Sequence, residues 1–392
     1  MKYIWQLKTW PRMTWRSDFL LSLLGQARLA QGNLLGRVKR LGFELGSAAQ
    51  ADILTEEAIK TSAIEGERLN LQAVRSSVAR HLGLPGVGLG PATRSIDGLI
   101  EVLLNATQNY DVSLTAERLQ GWHAALFPTG HSGFHKIRVG EWRGKEPMRV
   151  VSGPVGREKI HFEAPPGERV EEEMRQFLTW WDTTSHQMDG LLRAGLTHFY
   201  FVTIHPFEDG NGRIARALTD MALAQDEKLG VRYYSLSSQI MEERDAYYRI
   251  LEKTSKTNHL DVTDWLLWFL GCYQRAVGRS DKIIGHVLAK ADFWQHHTQT
   301  VMNERQRKVV NRLLDAGEGG FVGGLTTRKY VSMAKVSRAT AFREISDLLE
   351  KGIFRQNPAK TGTTSSRERA GIKGFRPAKG RSVSYDLNWP PA

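Results

Sequence analysis

Residues 205–216 run HPFEDGNGRIAR, and the reading of this stretch decides the fold. The eight residues before it, THFYFVTI, are nearly all apolar, so a buried helix or strand delivers His205 to a fixed place. Pro206 stops a helix from running on and forces an irregular turn. Gly210, Asn211 and Gly212 follow, the residue types that visit unusual backbone angles at least cost. Arg213 then opens an amphipathic helix, RIARALTDMALA. Flexible backbone N–H groups converging at a helix N-terminus form an anion site, because the helix dipole favours negative charge there.

The remaining residue types fit a phosphate. Arg213 and Arg216 lie three apart, so they share a helix face and can reach one polyphosphate, and arginine binds phosphate bidentately as lysine cannot. Asp209 supplies a hard oxygen for Mg²⁺, which takes one or two carboxylates plus substrate phosphates. His205, with an ordinary pKa near 6.5, can accept a hydroxyl proton at neutral pH. Phe207 is expected to pack inward and hold the loop in shape. Base, metal ligand, anion cradle and phosphate clamp together describe phosphoryl or nucleotidyl transfer to a hydroxyl.

The stretch also resembles the HPFx[D/E]GNGRxxR signature of the Fic family at every defined position. The resemblance implies a compact helical domain that transfers AMP from ATP to a Ser, Thr or Tyr hydroxyl of a target protein. By position, His205 would be the general base and Asp209 the Mg²⁺ ligand. Gly210, Asn211 and Gly212 would form the anion hole, and Arg213 and Arg216 would clamp the β- and γ-phosphates. Ile214 and Ala215, inside the motif, are counted with the nucleotide site. Related Doc-type kinases carry Lys at or beside the place of Gly212, so GNGR favours adenylylation, and nothing in the core departs from the ATP-type pattern toward another donor.

The stretch MRVVSGPVGREKIHFEAPP (148–166) has β-branched runs, turn residues and a closing Pro-Pro, the pattern of a short hairpin inserted in a helical domain. It resembles the family's flap, with Lys159, Ile160, His161 and Phe162 registering the target side chain. DAYYRILEK makes Tyr247 and Tyr248 candidates to flank adenine or, equally, core aromatics; Ser255 stands where some relatives have Asn. Upstream, TSAIEGERL resembles the family's [S/T]xxxE[G/N] inhibitory motif through Thr61, Glu65 and Gly66. A carboxylate there would pair with Arg216 and leave ATP bound with its α-phosphate misplaced. Whether Glu65 only inhibits, or also positions a water that removes AMP, stays open.

The expected fold class is mainly α: an N-terminal helical domain (1–90), a Fic-type helical core with a β-hairpin flap (91–285) and a C-terminal winged helix-turn-helix (303–392). The opening segment also resembles the N-terminal helical domain of Fic proteins with this arrangement. Ser17 or Asp18 is the expected cap of the first helix, and Trp5, Trp10 and Trp15 are packing anchors. Gly83–Pro91 has the composition of a linker. SRATAFREISDLLEKG (337–352) has the rhythm of a recognition helix. From Arg355 to Arg381 eight Lys and Arg face one acid, the composition of a disordered basic wing.

Net charge is +12 over 392 residues, which favours polyanionic partners: nucleotide phosphates, or DNA through the winged helix. The single cysteine, Cys272, sits in an apolar helical run as a core thiol and excludes an intrachain disulfide. His296 and His297 lack further ligands at metal spacing. No apolar leader and no run of about 18 apolar residues occurs, so the expectation is a cytoplasmic protein, not a membrane one. A homodimer is also expected from the family resemblance.

Overall fold

The computed structural model describes residues 2–84, 91–152, 159–185, 187–316, 323–357 and 384–388. The chain divides into two compact units, residues 1–282 and 283–392. The first two segments expected from sequence therefore fold together, as one unit.

In the first unit a short 3₁₀ turn, Ile4–Gln6, leads to α1 (Ser17–Val38), α2 (Phe43–Ile64), α3 (Leu71–His81), α4 (Arg94–Gln108) and α5 (Ala116–Leu126). Two antiparallel hairpins follow, β1 (His131–Ser132) with β2 (His135–Lys136), and β3 (Arg149–Ser152) with β4 (Lys159–Glu163). The second is the hairpin expected from the sequence; residues 153–158, between its two strands, lie outside the described residues. Then come α6 (Val170–Thr184), α7 (Gly190–Ile204), α8 (Asn211–Glu227), α9 (Leu236–Glu242), α10 (Arg244–Ser255) and α11 (Thr263–His296), whose last turns belong to the second unit. Among the described residues no helix is long and apolar enough to cross a membrane.

The α7–α8 pair is the centre of this unit. Most residues of both helices are buried, and in α7 the sequence accordingly shows a largely apolar run rather than an amphipathic stripe. Asp189 caps α7, accepting from the Leu191 and Leu192 amides at 2.9 and 3.3 Å. Gly195 lets α11 approach: a Cβ there would lie 2.8 Å from the Phe269 ring, and Trp265 of α11 donates to the Gly195 carbonyl at 2.8 Å. From α1, Arg28 donates to Asp189 at 2.7 Å and pairs with Asp226, tying the start of α7 to the adjacent end of α8. Cys272 is fully buried, and burial pushes its thiol well up, so it is a core residue and no nucleophile.

Two local expectations are corrected. Arg16, not Ser17 or Asp18, occupies the N-cap of α1, and no side chain caps it; Asp18 sits in the first turn, where its charge still suits the dipole. α8 starts at Asn211 rather than Arg213, behind the left-handed Gly210 (φ 79°), so Asn211 and Gly212 are helix rather than loop. Trp5 is buried and Trp10 half-buried, as anchors should be, but part of what they anchor is the hairpin. Trp5 donates to the Glu163 carbonyl at 2.7 Å and clusters with Phe162 and Ala164. Most of the Gly83–Pro91 stretch lies outside the described residues.

The second unit contains α12 (Glu304–Ala316), α13 (Thr327–Ala334), α14 (Arg338–Glu350) and the antiparallel strands β5 (Phe354–Gln356) and β6 (Tyr385–Leu387). Lys335, left-handed at φ 52°, turns the chain between α13 and α14, and Ser337 caps α14 by accepting from the Thr340 amide at 3.2 Å. Val309, Val310, Leu313, Tyr330, Ile345, Leu348, Phe354 and Tyr385 form its core. Among the described residues, α12, α13, a three-residue turn, α14 and the β5–β6 pair thus follow one another; residues 358–383, where most of the expected basic wing falls, lie outside the described residues.

Behind α8, Asp220 is buried beside Glu57 of α2, 3.8 Å from Arg232. Burial first and Glu57 second push its carboxyl well up. A group raised in the folded state contributes stability that is complete below its unfolded value and is lost as pH rises through the folded one. Asp220→Asn is therefore expected to raise the melting temperature more at about pH 8 than at about pH 5. An equal shift at both would contradict this.

Candidate active site

At the end of α7 the chain turns abruptly. His205 caps the helix in the left-handed region (φ 52°), a conformation that a bulky residue holds only when its surroundings impose it. Arg143 imposes it. This buried arginine donates from Nε to the His205 carbonyl at 2.8 Å and from Nη2 to the Pro165 carbonyl, while its own amide donates to the Pro206 carbonyl at 2.8 Å. The turn is also closed from within: the Asn211 side chain accepts from the Phe207 amide at 3.0 Å and donates to the Phe207 carbonyl at 2.8 Å. Phe207 is fully buried, stacked on His123 with centroids 4.2 Å apart. Gly210 is required twice over, by its positive φ and because a Cβ would lie 2.8 Å from the Phe127 ring.

The ring of His205 has a defined proton. Nδ1 lies 3.1 Å from the Val202 carbonyl oxygen, which can only accept, so Nδ1 carries the hydrogen and Nε2 the lone pair. Burial pushes its pKa below the usual histidine value, outweighing the Val202 bond, which acts the other way. At neutral pH the imidazole is therefore an unprotonated base with Nε2 engaged by no described residue.

His205 lines a cavity of about 440 Å³ together with Asp209, Asn211, Gly212, Glu65, Tyr247, Tyr248 and Ser255, and with His161 and Phe162 of the β3–β4 hairpin. The Asp209 carboxylate accepts from the Gly210 amide at 2.5 Å and from the Ser132 hydroxyl. A single carboxylate at a phosphate-sized opening fits Mg²⁺, whose remaining ligands come from substrate phosphates and water; among the described residues no cluster of three or more metal-binding side chains exists.

The anion site at the start of α8 already holds a carboxylate. A Cβ on Gly212 would lie 2.1 Å from Glu65 Oε1, so glycine there makes room for a negatively charged group against the helix N-terminus. Arg216 is only 2% exposed. Its Nη2 donates to Glu65 Oε1 at 2.7 Å and to the Thr61 carbonyl at 2.9 Å, and its Nε to the Thr61 hydroxyl at 2.6 Å. Nη1 is buried with no hydrogen-bond partner among the described residues. Thr61 and Glu65 sit four apart near the end of α2, which Gly66 (φ 86°) terminates. Glu57, one turn before Thr61, accepts from the Ser235 hydroxyl at 2.7 Å and the Ser237 amide at 3.1 Å, fastening the same helix face to α9.

Other sequence candidates distribute unevenly. Arg213 meets not the cavity but Glu67, at 3.4 Å, and the Phe127 ring. Ile214 and Ala215 are fully buried in the core, a correction to their inclusion with the nucleotide site: positions between the two arginines face inward by helix geometry. Tyr247 is buried, its hydroxyl 2.9 Å from His198 Nε2, while Tyr248 donates to the Ile64 carbonyl at 3.3 Å; both contribute to the cavity wall, so they are at once core and lining residues. His161 pairs with Glu252 at 2.8 Å, and the half-exposed Ile160 offers its carbonyl to Lys256 at 3.1 Å. The backbone of Lys159 pairs with Ser152. Arg143, Ser132 and Glu67 were not identifiable beforehand, because each acts through a long-range contact with no local spacing rule.

The turn from His205 to Arg216 lies within a stretch that matches a known family. Residues 113–223 match the Fic/DOC family model, and residues 3–84 match a domain of unknown function, DUF4172. The chain carries a Fic/DOC-family domain. It is 27% identical over 223 residues to the protein adenylyltransferase Fic of Nematostella vectensis, covering 55% of this chain and 46% of that protein. It is 28% identical over 165 residues to the protein adenylyltransferase fic-1 of Caenorhabditis briggsae, covering 42% and 30% respectively. The chain thus spans less than half the length of these curated relatives. Among solved structures, a Fic family protein from Desulfovibrio desulfuricans G20 shares the fold at TM-score 0.50 and 18% identity, over 94% of this chain and 95% of that one. A Fic domain containing signaling protein from Bacteroides thetaiotaomicron does so at TM-score 0.50 and 19% identity, over 66% and 95%.

The tautomer assignment is directly measurable. Nitrogen-15 NMR of ring-labelled protein is expected to show His205 neutral at about pH 7 with its proton on Nδ1. An imidazolium, or a proton on Nε2, would contradict it.

Proposed function

We propose that this chain is a Mg²⁺- and ATP-dependent protein adenylyltransferase held in a braked state by Glu65. The observation that carries the reading is the unengaged Nε2 of His205, facing one cavity with Asp209 and the glycine opening of α8. ATP would lie with its triphosphate along residues 210–212 and its adenine toward Tyr247, Tyr248 and Ser255. His205 Nε2 takes the proton of the target hydroxyl as that oxygen attacks the α-phosphorus, and pyrophosphate departs. General-base help of this kind is worth about 10²–10⁴-fold. Mg²⁺ held by Asp209 would neutralise charge on the phosphates. The β3–β4 hairpin, braced from behind by Trp5, would place the target's hydroxyl against the cavity.

The brake follows from charge. While Glu65 occupies the opening beside Gly212 and holds Nη2 of the Arg216 guanidinium, a γ-phosphate meets a carboxylate instead of a clamp, and like charges at such contact repel strongly in a buried site. Glu67 withholds Arg213 in the same way, but at 3.4 Å and half exposed to solvent it contributes less.

Intact-mass analysis after incubation with Mg²⁺ and ATP tests the reading. Glu65→Gly is expected to gain an adduct of AMP mass at least about ten-fold faster than wild type, a barrier change of about 1.4 kcal/mol. His205→Ala in that background should lose it, as should Asp209→Ala or added chelator. Adduct formation at equal rates in wild type and Glu65→Gly would remove the brake, and persistence in the His205 variant would remove the enzyme mechanism. Glu67→Ala should accelerate the reaction by a smaller factor than Glu65→Gly.

A further inference from the structure

The charge of this chain is not spread evenly. Residues 283–392 hold 19 lysines and arginines against 9 aspartates and glutamates, a net of +10 out of the chain's +12. The first unit is close to neutral, so the basic excess has no explanation in the nucleotide site.

Within the second unit, α14 separates its charges by face. Two of its three acids point inward or are neutralised. Glu344 is buried and receives Arg305 at 2.7 Å, the Tyr330 hydroxyl at 2.8 Å and Asn303 at 3.2 Å. Asp347 receives Gln306 at 2.7 Å and Lys351 at 2.6 Å. The apolar residues Ala341, Ile345 and Leu348 fill the core. What remains outward on the first two turns is Arg338, Ala339, Phe342 and Arg343, all exposed, and neither guanidinium is hydrogen-bonded or ion-paired among the described residues. Glu350, the one unpaired acid of the helix, lies at its far end. Arg328 on α13 and Lys335 in the turn are exposed on the same helix-turn-helix.

We propose that the second unit binds duplex DNA, with the N-terminal half of α14 entering the major groove. An α-helix fits that groove, which is about 12 Å wide. In a helix-turn-helix the residues that reach base edges come from the N-terminal part of the second helix. Here those are two arginines, the side chain that makes the commonest specific contact, bidentate to guanine, and a phenylalanine suited to a thymine methyl. Withdrawal of the acids into Arg305, Tyr330, Gln306 and Lys351 leaves that half of the helix uniformly positive toward a polyanion. This function is independent of the adenylyltransferase reading and stands or falls separately from it.

Fluorescence anisotropy with a labelled mixed-sequence DNA duplex, using the full chain, tests the proposal across a series of salt concentrations. Wild type is expected to bind with an affinity that falls linearly in log–log form as salt rises. Arg338→Ala/Arg343→Ala should weaken binding at least about ten-fold and flatten the slope by about one for each arginine that contacts a phosphate. Arg338→Lys/Arg343→Lys should restore much of the non-specific affinity, and unchanged melting of the variants would exclude misfolding, since both arginines are exposed. Absence of binding by wild type would overturn the proposal. So would a double alanine variant that binds with wild-type affinity and slope, because the contact would then come from elsewhere on the basic unit.

Discussion

Everything in the site is arranged around one buried cation. Arg216 projects from a helix whose neighbours are almost all apolar, and a guanidinium that deep needs anionic and carbonyl partners. The end of α2 supplies them: the Thr61 hydroxyl and carbonyl and the Glu65 carboxylate. Removing one partner of such a buried pair leaves an uncompensated charge, at a cost of about 3–5 kcal/mol. The opening beside Gly212 is therefore a place that always demands an anion. Under the proposed function two candidates compete for it, the chain's own Glu65 and the phosphate of a nucleotide, and the open Nη1 of Arg216 is a donor that the internal carboxylate does not use.

A second constraint acts on His205, from a different direction. Its left-handed backbone is fixed by Arg143, its ring by the Val202 carbonyl, and the turn that follows by Asn211 folded back on Phe207. All of these contacts lie within the protein itself. They set the tautomer and position of the base before anything binds, which is how a rigid scaffold limits reorganisation during reaction. The N-terminal segment does comparable service for the hairpin on the other wall, through Trp5 and Phe162. Residues 3–84, matched to a domain of unknown function, thus reach the cavity twice, at the hairpin and at Arg216.

How much of this could be read in the sequence follows from what was local. The HPFEDGNGRIAR turn, the helix it opens, the hairpin and the pairing of Glu65 with Arg216 were all legible, the first three from residue order and backbone preference, the last through resemblance to a family motif. The start of α8 was misplaced because Gly210 and Gly212 look alike in sequence, and only one of them is left-handed. Ile214 and Ala215 were swept into the site by adjacency, although a helix turns them into the core. Arg143 and Glu67 were invisible, since nothing near Arg143 in the chain marks it as a brace for a residue 62 positions away. The acids of α14 looked like ordinary helix charges until their inward partners were seen.

The central claim is that Glu65 and a terminal phosphate contend for the same arginine. Titration calorimetry of ATP and of AMP against wild type and Glu65→Gly, with Mg²⁺ present, separates this from a general charge effect. Loss of one negative charge at a distance favours every nucleotide alike, whereas release of Arg216 favours only the nucleotide that carries a γ-phosphate. The account predicts a gain in ATP affinity on Glu65→Gly that AMP does not share. Equal gains for both nucleotides, or none for either, would contradict it.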